Sequence, residues 1–193
     1  MSLLKLLNKE EDDFHLWQRM KEGDQDAFDQ IYAKNINHLV RYGHSFTQDA
    51  SIIDDNIQEV FCRVWQRRSE LKQTSSIRYY LLASFRNELL KDIRKRKRRV
   101  LIWEIFSESS VNFNASLEAT IIQKESQEQL QKKLSHTFGK LSSRQKEIVY
   151  LKYYNELTFD EIGEIMDLEK KAVYNAMSKA MIILRKELDS GLE

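Results

Sequence analysis

The sequence predicts an all-α protein of two helical domains joined by a linker, and three observations carry that expectation. Proline is absent and glycine occurs only five times in 193 residues, which removes the residues that punctuate β-hairpins and leaves polar turns between helices. Apolar residues recur at three- and four-residue spacing through most of the chain, the period of a one-sided helix and not the alternation of a strand. A Ser- and Asn-rich stretch at 100–122, with Glu104, Glu108 and Glu118 but no Lys or Arg, separates a first domain at 10–99 from a second at 123–190.

In chain order, 13–21 reads as a helix stopped at Gly23, and 24–35 as a second with Phe28, Ile31 and Tyr32 inward; 39–46 continues the pattern. Residues 51–67 form a longer helix whose stripe is Ile53, Ile57, Val60, Phe61, Val64 and Trp65, with Cys62 expected among them as a small buried hydrophobe. Its other face opens with Asp54, Asp55, Gln58 and Glu59. Carboxylates in a first turn favour the helix dipole, and no histidine shares the helix to complete an acid–base pair. That face therefore reads as solvated or as a docking surface. Polar residues 69–76 form an ordered loop before a helix over 77–98 that buries Leu82, Phe85, Leu89 and Ile93. Opposite them fall Tyr80, Ser84, Asn87, Lys91, Arg94 and Arg98, a line about 27 Å long at 1.5 Å per residue. A solvated helix end would also carry the cations. With an aromatic ring and an amide in line, the face suits a separated nucleic-acid strand, the ring stacking on bases and the cations meeting phosphates.

Within the linker, Trp103, Ile105, Phe106 and Phe113 could anchor the chain in a groove. The second domain begins with a helix over 123–138, followed by Leu141 and the capping box Ser142-x-x-Gln145 that opens 144–153. A second box, Thr158-x-x-Glu161, starts a short helix with Ile162, Ile165 and Met166 on one face. After Asp167, Leu168 and Glu169, a further helix places Val173, Ala176, Met177, Ala180 and Leu184 on one side and Lys171, Asn175, Ser178 and Lys179 on the other. Two such helices with a short break make a helix-turn-helix. Gly163 and Ala176 are expected where they cross closely. In a recognition helix, Lys171 and Lys179 meet phosphates and Tyr174, Asn175 and Ser178 meet base edges, with Lys170 at the start of the same set.

Composition excludes other classes. No apolar run approaches the roughly 20 residues of a membrane helix, and the Leu-rich start is too short for a signal peptide, so a cytoplasmic protein without membrane insertion is expected. One cysteine permits no internal disulfide. Neither metal-ligand spacing, a Gly-rich phosphate loop nor a nucleophile elbow occurs; no metal, cofactor or catalytic residue is expected, and His15, His38, His44 and His136 are given no special role. The net charge of +1 hides a segregation: twelve acidic against four basic residues between Glu10 and Val60, and nine basic against two acidic between Arg78 and Arg99.

The order of these parts resembles a bacterial sigma factor of the extracytoplasmic-function group. The resemblance rests on the run from Asp54 to Trp65, the run from Tyr80 to Arg94, Leu141-Ser142-Ser143-Arg144-Gln145, and the helix-turn-helix. It implies that residues 10–99 are sigma domain two and 123–190 sigma domain four, without a domain three. It implies core RNA polymerase and promoter DNA as partners. Asp54, Asp55, Gln58, Glu59 and Arg63 would dock on the clamp helices of the largest subunit. The line from Tyr80 to Arg98, with the loop before it, would capture a flipped base of the −10 element and stabilise the opened strand. Domain four would hold the polymerase flap and read the −35 element through Lys170, Lys171, Tyr174, Asn175, Ser178 and Lys179. The linker would thread toward the active-site cleft, and an anti-sigma factor, often membrane-bound in this group, is the further partner implied.

Two positions depart from the family pattern: Asp167 stands where Gly is frequent, and Glu169 where Ser caps the recognition helix. With few arginines on that helix and an acidic N-terminal half, the free protein is expected to bind duplex DNA weakly. Two other readings fit parts of the sequence. One is an independent helix-turn-helix regulator, which would bind a symmetric site tightly as a dimer; the other is a helical adaptor indifferent to DNA.

Overall fold

The computed structural model describes residues 13–74, 76–100 and 137–189. Among them every regular element is a helix: α1 (Asp13–Lys21), α2 (Gln25–His44), α3 (Ala50–Gln66), α4 (Ile77–Val100), α5 (Ser143–Tyr153), α6 (Phe159–Met166) and α7 (Lys170–Asp189). The linker at 101–122 with its anchor residues, and the helix expected over 123–138 except for Thr137 and Phe138, lie outside the described residues.

Local chemistry sets each start. Gly23, at φ 97°, takes the left-handed turn that ends α1. Asp24 then caps α2 by accepting from the Ala27 N–H at 3.1 Å. Asp49 caps α3 through the Ser51 and Ile52 amides. The start of α4 is held by two side chains: Ser76 Oγ accepts from Tyr79 N, and Asp13 of α1 accepts from Ile77 N at 2.8 Å. Trp17 donates its indole N–H to Lys72 O at 2.9 Å, so α1 pins the loop before α4 as well. Both expected capping boxes form, at Ser142–Gln145 and Thr158–Glu161.

The first unit is a four-helix arrangement in which α2 crosses α3 and α4. Gly43 sits at that crossing: a Cβ there would lie 2.7 Å from Ile53 Cγ2 and 3.1 Å from Phe85 Cζ. The segments expected at 24–35 and 39–46 are one helix. Asn35 does not break it, because it is buried and its side-chain amide donates back to Ile31 O at 2.8 Å. Two inward assignments are corrected. Tyr32 is 42% exposed: Ile31 takes the inward position, and the Tyr32 ring lies edge-on against the outer side of Phe61 at 4.8 Å. Cys62 is exposed, because two residues beyond Val60 is about 200° round the helix.

In the second unit α6 and α7 cross with α5 behind them. Asp167 ends α6 in the left-handed conformation, φ 54°, and the Leu168 amide reaches back to Gly163 O at 2.8 Å, closing the turn as a C-cap motif does. Gly163 is needed for this turn more than for the helix crossing, since a Cβ would sit 2.8 Å from Leu168 O. The apolar cores of the two units are continuous across the line where α4 meets α6.

Gly163→Ala is expected to cost about 1–3 kcal/mol through that backbone overlap. Asp167→Gly, which relieves a left-handed non-glycine residue, is expected to be neutral or stabilising by up to about 1 kcal/mol. Urea denaturation of the two variants checks the opposite signs.

Candidate nucleic-acid interface

Two basic surfaces and one acidic surface emerge from this framework. On α4, Asn87, Lys91 and Arg94 are exposed, while Tyr80 and Ser84 are half-buried. Tyr80 is seated edge-on against Trp17 at 5.1 Å, so one end of the line is rigid. The Arg98 side chain lies outside the described residues. On α7, Lys170, Lys171, Tyr174, Asn175, Ser178 and Lys179 are all exposed on one face, and Val173, Met177 and Ala180 are buried on the other. The Tyr174 ring rests on Phe159 at 4.2 Å, and Lys170 reaches Asp160 at 2.7 Å across the turn. Exposed pairs of that kind contribute little and yield readily to a phosphate.

The acidic surface is on α3. Asp54, Asp55, Gln58 and Glu59 are exposed in adjoining turns, as a docking surface requires. Arg63 is tied down, its guanidinium held by Glu59 at 2.9 Å and by Glu88 of α4 at 3.0 Å. Hydrogen bonds to Glu59 and Glu88 raise its pKa, and it braces α3 on α4. A second brace runs from Asn56 to Asp92 at 3.2 Å, and from Asp92 to Arg96 at 2.8 Å.

Sequence reasoning missed the polar seam between the two units. Arg86 of α4 donates from Nε to Glu147 of α5 at 2.7 Å and from Nη1 to Ile165 O at 3.2 Å. The Tyr42 hydroxyl of α2 donates to the same Glu147 oxygen at 2.7 Å. Both charged side chains are largely covered, 15% and 7% exposed. Burial would lower the Arg86 pKa, but the Glu147 charge outweighs it and holds it up. Burial, then Glu147, pushes the Tyr42 hydroxyl well above its usual range. Around this centre Tyr42, Tyr150 and Tyr154 stack in sequence, at 5.8 and 4.9 Å. Arg41 bonds the Tyr154 hydroxyl, and His38 pairs with Asn155 at 3.1 Å. At the far end Tyr79 donates to Glu164 of α6, its pKa raised to about 12 by burial and that carboxylate. One signal for the seam was present. Ile148, Val149, Tyr150 and Leu151 are four consecutive buried residues on α5, and a helix apolar all round needs neighbours on every side.

Residues 31–99 match the sigma-70 region 2 family and residues 131–184 the sigma-70 region 4 family. A probable RNA polymerase sigma factor, RfaY, of Xanthomonas campestris is 24% identical over 86% of the chain and 41% of its own length. The ECF RNA polymerase sigma factor SigM of Bacillus subtilis is 24% identical over 86% of the chain and 98% of its own length. The chain thus spans under half of the first relative and nearly all of the second. In fold it is similar to CnrH in complex with the cytosolic domain of CnrY, at TM-score 0.58, 19% identity, and 94% and 99% coverage of the two chains. It is similar too to the sigma factor RpoE of Bartonella quintana in complex with the anti-sigma factor NepR, at TM-score 0.59, 19% identity, and 85% and 98% coverage.

Two outcomes follow from the seam. Arg86→Met leaves the Glu147 carboxylate buried without its counter-charge and is expected to cost about 3–5 kcal/mol, most of it recovered in Arg86→Met with Glu147→Leu; urea denaturation followed by tryptophan fluorescence measures both. Burial, then the Arg78 charge, holds His38 below its usual pKa of 6.5, so unfolded chains bind more protons as pH falls past that value. Stability present above pH 6.5 is therefore lost as pH falls below it, and His38→Gln is expected to flatten that loss in the same measurement repeated across pH.

Proposed function

The chain belongs to the sigma-70 family, of the extracytoplasmic-function group, and on that premise we propose how its surfaces divide the work of a promoter-specific transcription initiation factor. The acidic face of α3, with Asp54, Asp55, Gln58 and Glu59, docks on the clamp helices of core RNA polymerase, and Arg63 keeps that face in register with α4. Asn87, Lys91 and Arg94 on α4, with Arg98 beyond them, meet the phosphates and bases of the −10 strand as it opens. Tyr80 contributes less freely than its place in line suggests, because Trp17 holds its ring. The exposed face of α7 enters the −35 element, its lysines on phosphate and Tyr174, Asn175 and Ser178 at base edges. An anti-sigma factor is the partner that would occupy these surfaces between rounds of use, and a cytoplasmic location accords with the work.

The observation that supports this reading is the coexistence, in one chain, of the exposed Asn87, Lys91 and Arg94 on α4 and an exposed polar face on α7, each on its own helical unit. Two readers on separate units suit two promoter elements. They also suit weak binding by the protein alone, since the face of α7 carries no arginine, the N-terminal half is acidic, and the polymerase supplies the effective concentration.

Run-off transcription with purified core polymerase on upstream promoter fragments tests the proposal. Initiation is expected to depend on the protein and to fall at least tenfold for Asn87→Ala with Lys91→Ala. Lys171→Ala with Lys179→Ala is expected to reduce it on all promoters and to flatten its salt dependence. Absence of initiation, with nanomolar duplex binding by the protein alone in physiological salt, would instead make the chain an independent regulator.

A further inference from the structure

We propose that Trp17 of α1 is a positioning residue for the strand-reading surface: it holds the loop before α4 and the Tyr80 ring as one rigid piece, and discrimination between bases of the −10 strand depends on that piece. The inference rests on the reading of α4 as the −10 surface. Helix α1 lies ahead of residues 31–99, where the region 2 match falls, so that match gives it no part in promoter recognition. Three hydrogen bonds nevertheless run from α1 into the stretch that leads to Tyr80. The Trp17 indole N–H donates to Lys72 O at 2.9 Å, Gln73 Nε2 donates to Phe14 O at 3.0 Å, and Asp13 accepts from Ile77 N at 2.8 Å. The first two grip consecutive loop residues that are themselves exposed. The third fixes the first turn of α4.

Trp17 is chemically suited to join these parts. It is fully buried, and its indole combines a flat apolar face with one polar N–H that needs an acceptor. The face meets the Tyr80 ring at 5.1 Å, while the N–H holds the loop backbone. At its other end the loop is tied by Arg68, which lies over the Trp65 ring at 4.5 Å and donates to Trp65 O at 2.8 Å. Selecting one base over another requires polar groups that stay where the wrong base leaves them unpaired. A loop free to shift pairs again with any base, and ordering it on binding costs affinity. The bonds to α1 remove that freedom before DNA arrives. Asn87, Lys91 and Arg94 lie further along α4, beyond the reach of these bonds. Loosening the loop therefore costs base discrimination while the cations keep their hold on phosphate.

The test is run-off transcription by holoenzyme, reconstituted from core polymerase and the full chain, on an initiating promoter fragment and on versions carrying each of the four bases at every −10 and −35 position in turn. The quantity read is the ratio of best to worst base at each position, taken within one preparation so that a lower folded fraction cancels. Trp17→Phe keeps a ring beside Tyr80 and removes the N–H. Its largest −10 ratio is expected to fall about fivefold or more, with the −35 ratios and the salt dependence of initiation at their wild-type values. Asp13→Ala, at a half-buried position, carries the same test should Trp17→Phe fail to fold. Wild-type −10 ratios in the folded variants would overturn the proposal, as would an equal fall in the −10 and −35 ratios, which marks a general loosening. Absence of initiation with the wild-type chain would overturn the reading of α4 itself, and this inference with it.

Discussion

The contact between Arg86 and Glu147 is the constraint on which the arrangement of the whole molecule depends. It is a buried ion pair at 2.7 Å, shared with the Tyr42 hydroxyl, and it joins α2 and α4 of one unit to α5 of the other. Removing either charge strands the other in a low-dielectric place, whereas the intact pair returns little beyond the cost of taking both ions out of water. A seam built this way is geometrically exact in register yet modest in net free energy. Apolar residues in the same positions would have joined the two units more permanently.

That balance suits a protein whose two exposed polar faces are proposed to read separate elements of a promoter. Each unit has its own starts and stops: Asp24, Asp49 and Ser76 cap helices of the first, Ser142 and Thr158 those of the second. The polar seam is laid over these self-contained units. When it parts, Arg86 and Glu147 each regain water, and Tyr79 and Glu164 are freed at its far end. In the proposed cycle, polymerase docking through α3 supplies the free energy for that separation.

The helices were legible in the sequence because their signals are local. Capping boxes, the absence of proline and the three- and four-residue apolar spacing fix most of the described helices within a residue or two, α2 excepted, which was expected as two segments and is one helix over Gln25–His44, and the exposed faces of α3 and α7 follow from the same periodicity. Errors arose where neighbouring residues compete for one inward direction. Tyr32 lost that position to Ile31, and Cys62 lies on the side of α3 away from Val60 and Val64. Gly163 was correctly marked as a residue that must be small, but the reason is the left-handed turn at Asp167, not the helix crossing. The seam was not legible, because Arg86 and Glu147 are 61 residues apart and nothing local distinguishes a paired buried charge from a solvated one. His38 shows the same limit: its partner Asn155 lies 117 residues away.

The separation of the two units during use is tested most directly by a distance across the seam. Energy transfer between dyes at Glu22→Cys and Lys186→Cys, in a Cys62→Ser background, is to be followed before and after adding core polymerase and then promoter. A distance that lengthens from its value in the free protein on polymerase binding, ahead of initiation, is the expected result. A distance unchanged through productive initiation would contradict the picture of a seam that must part for the two readers to work.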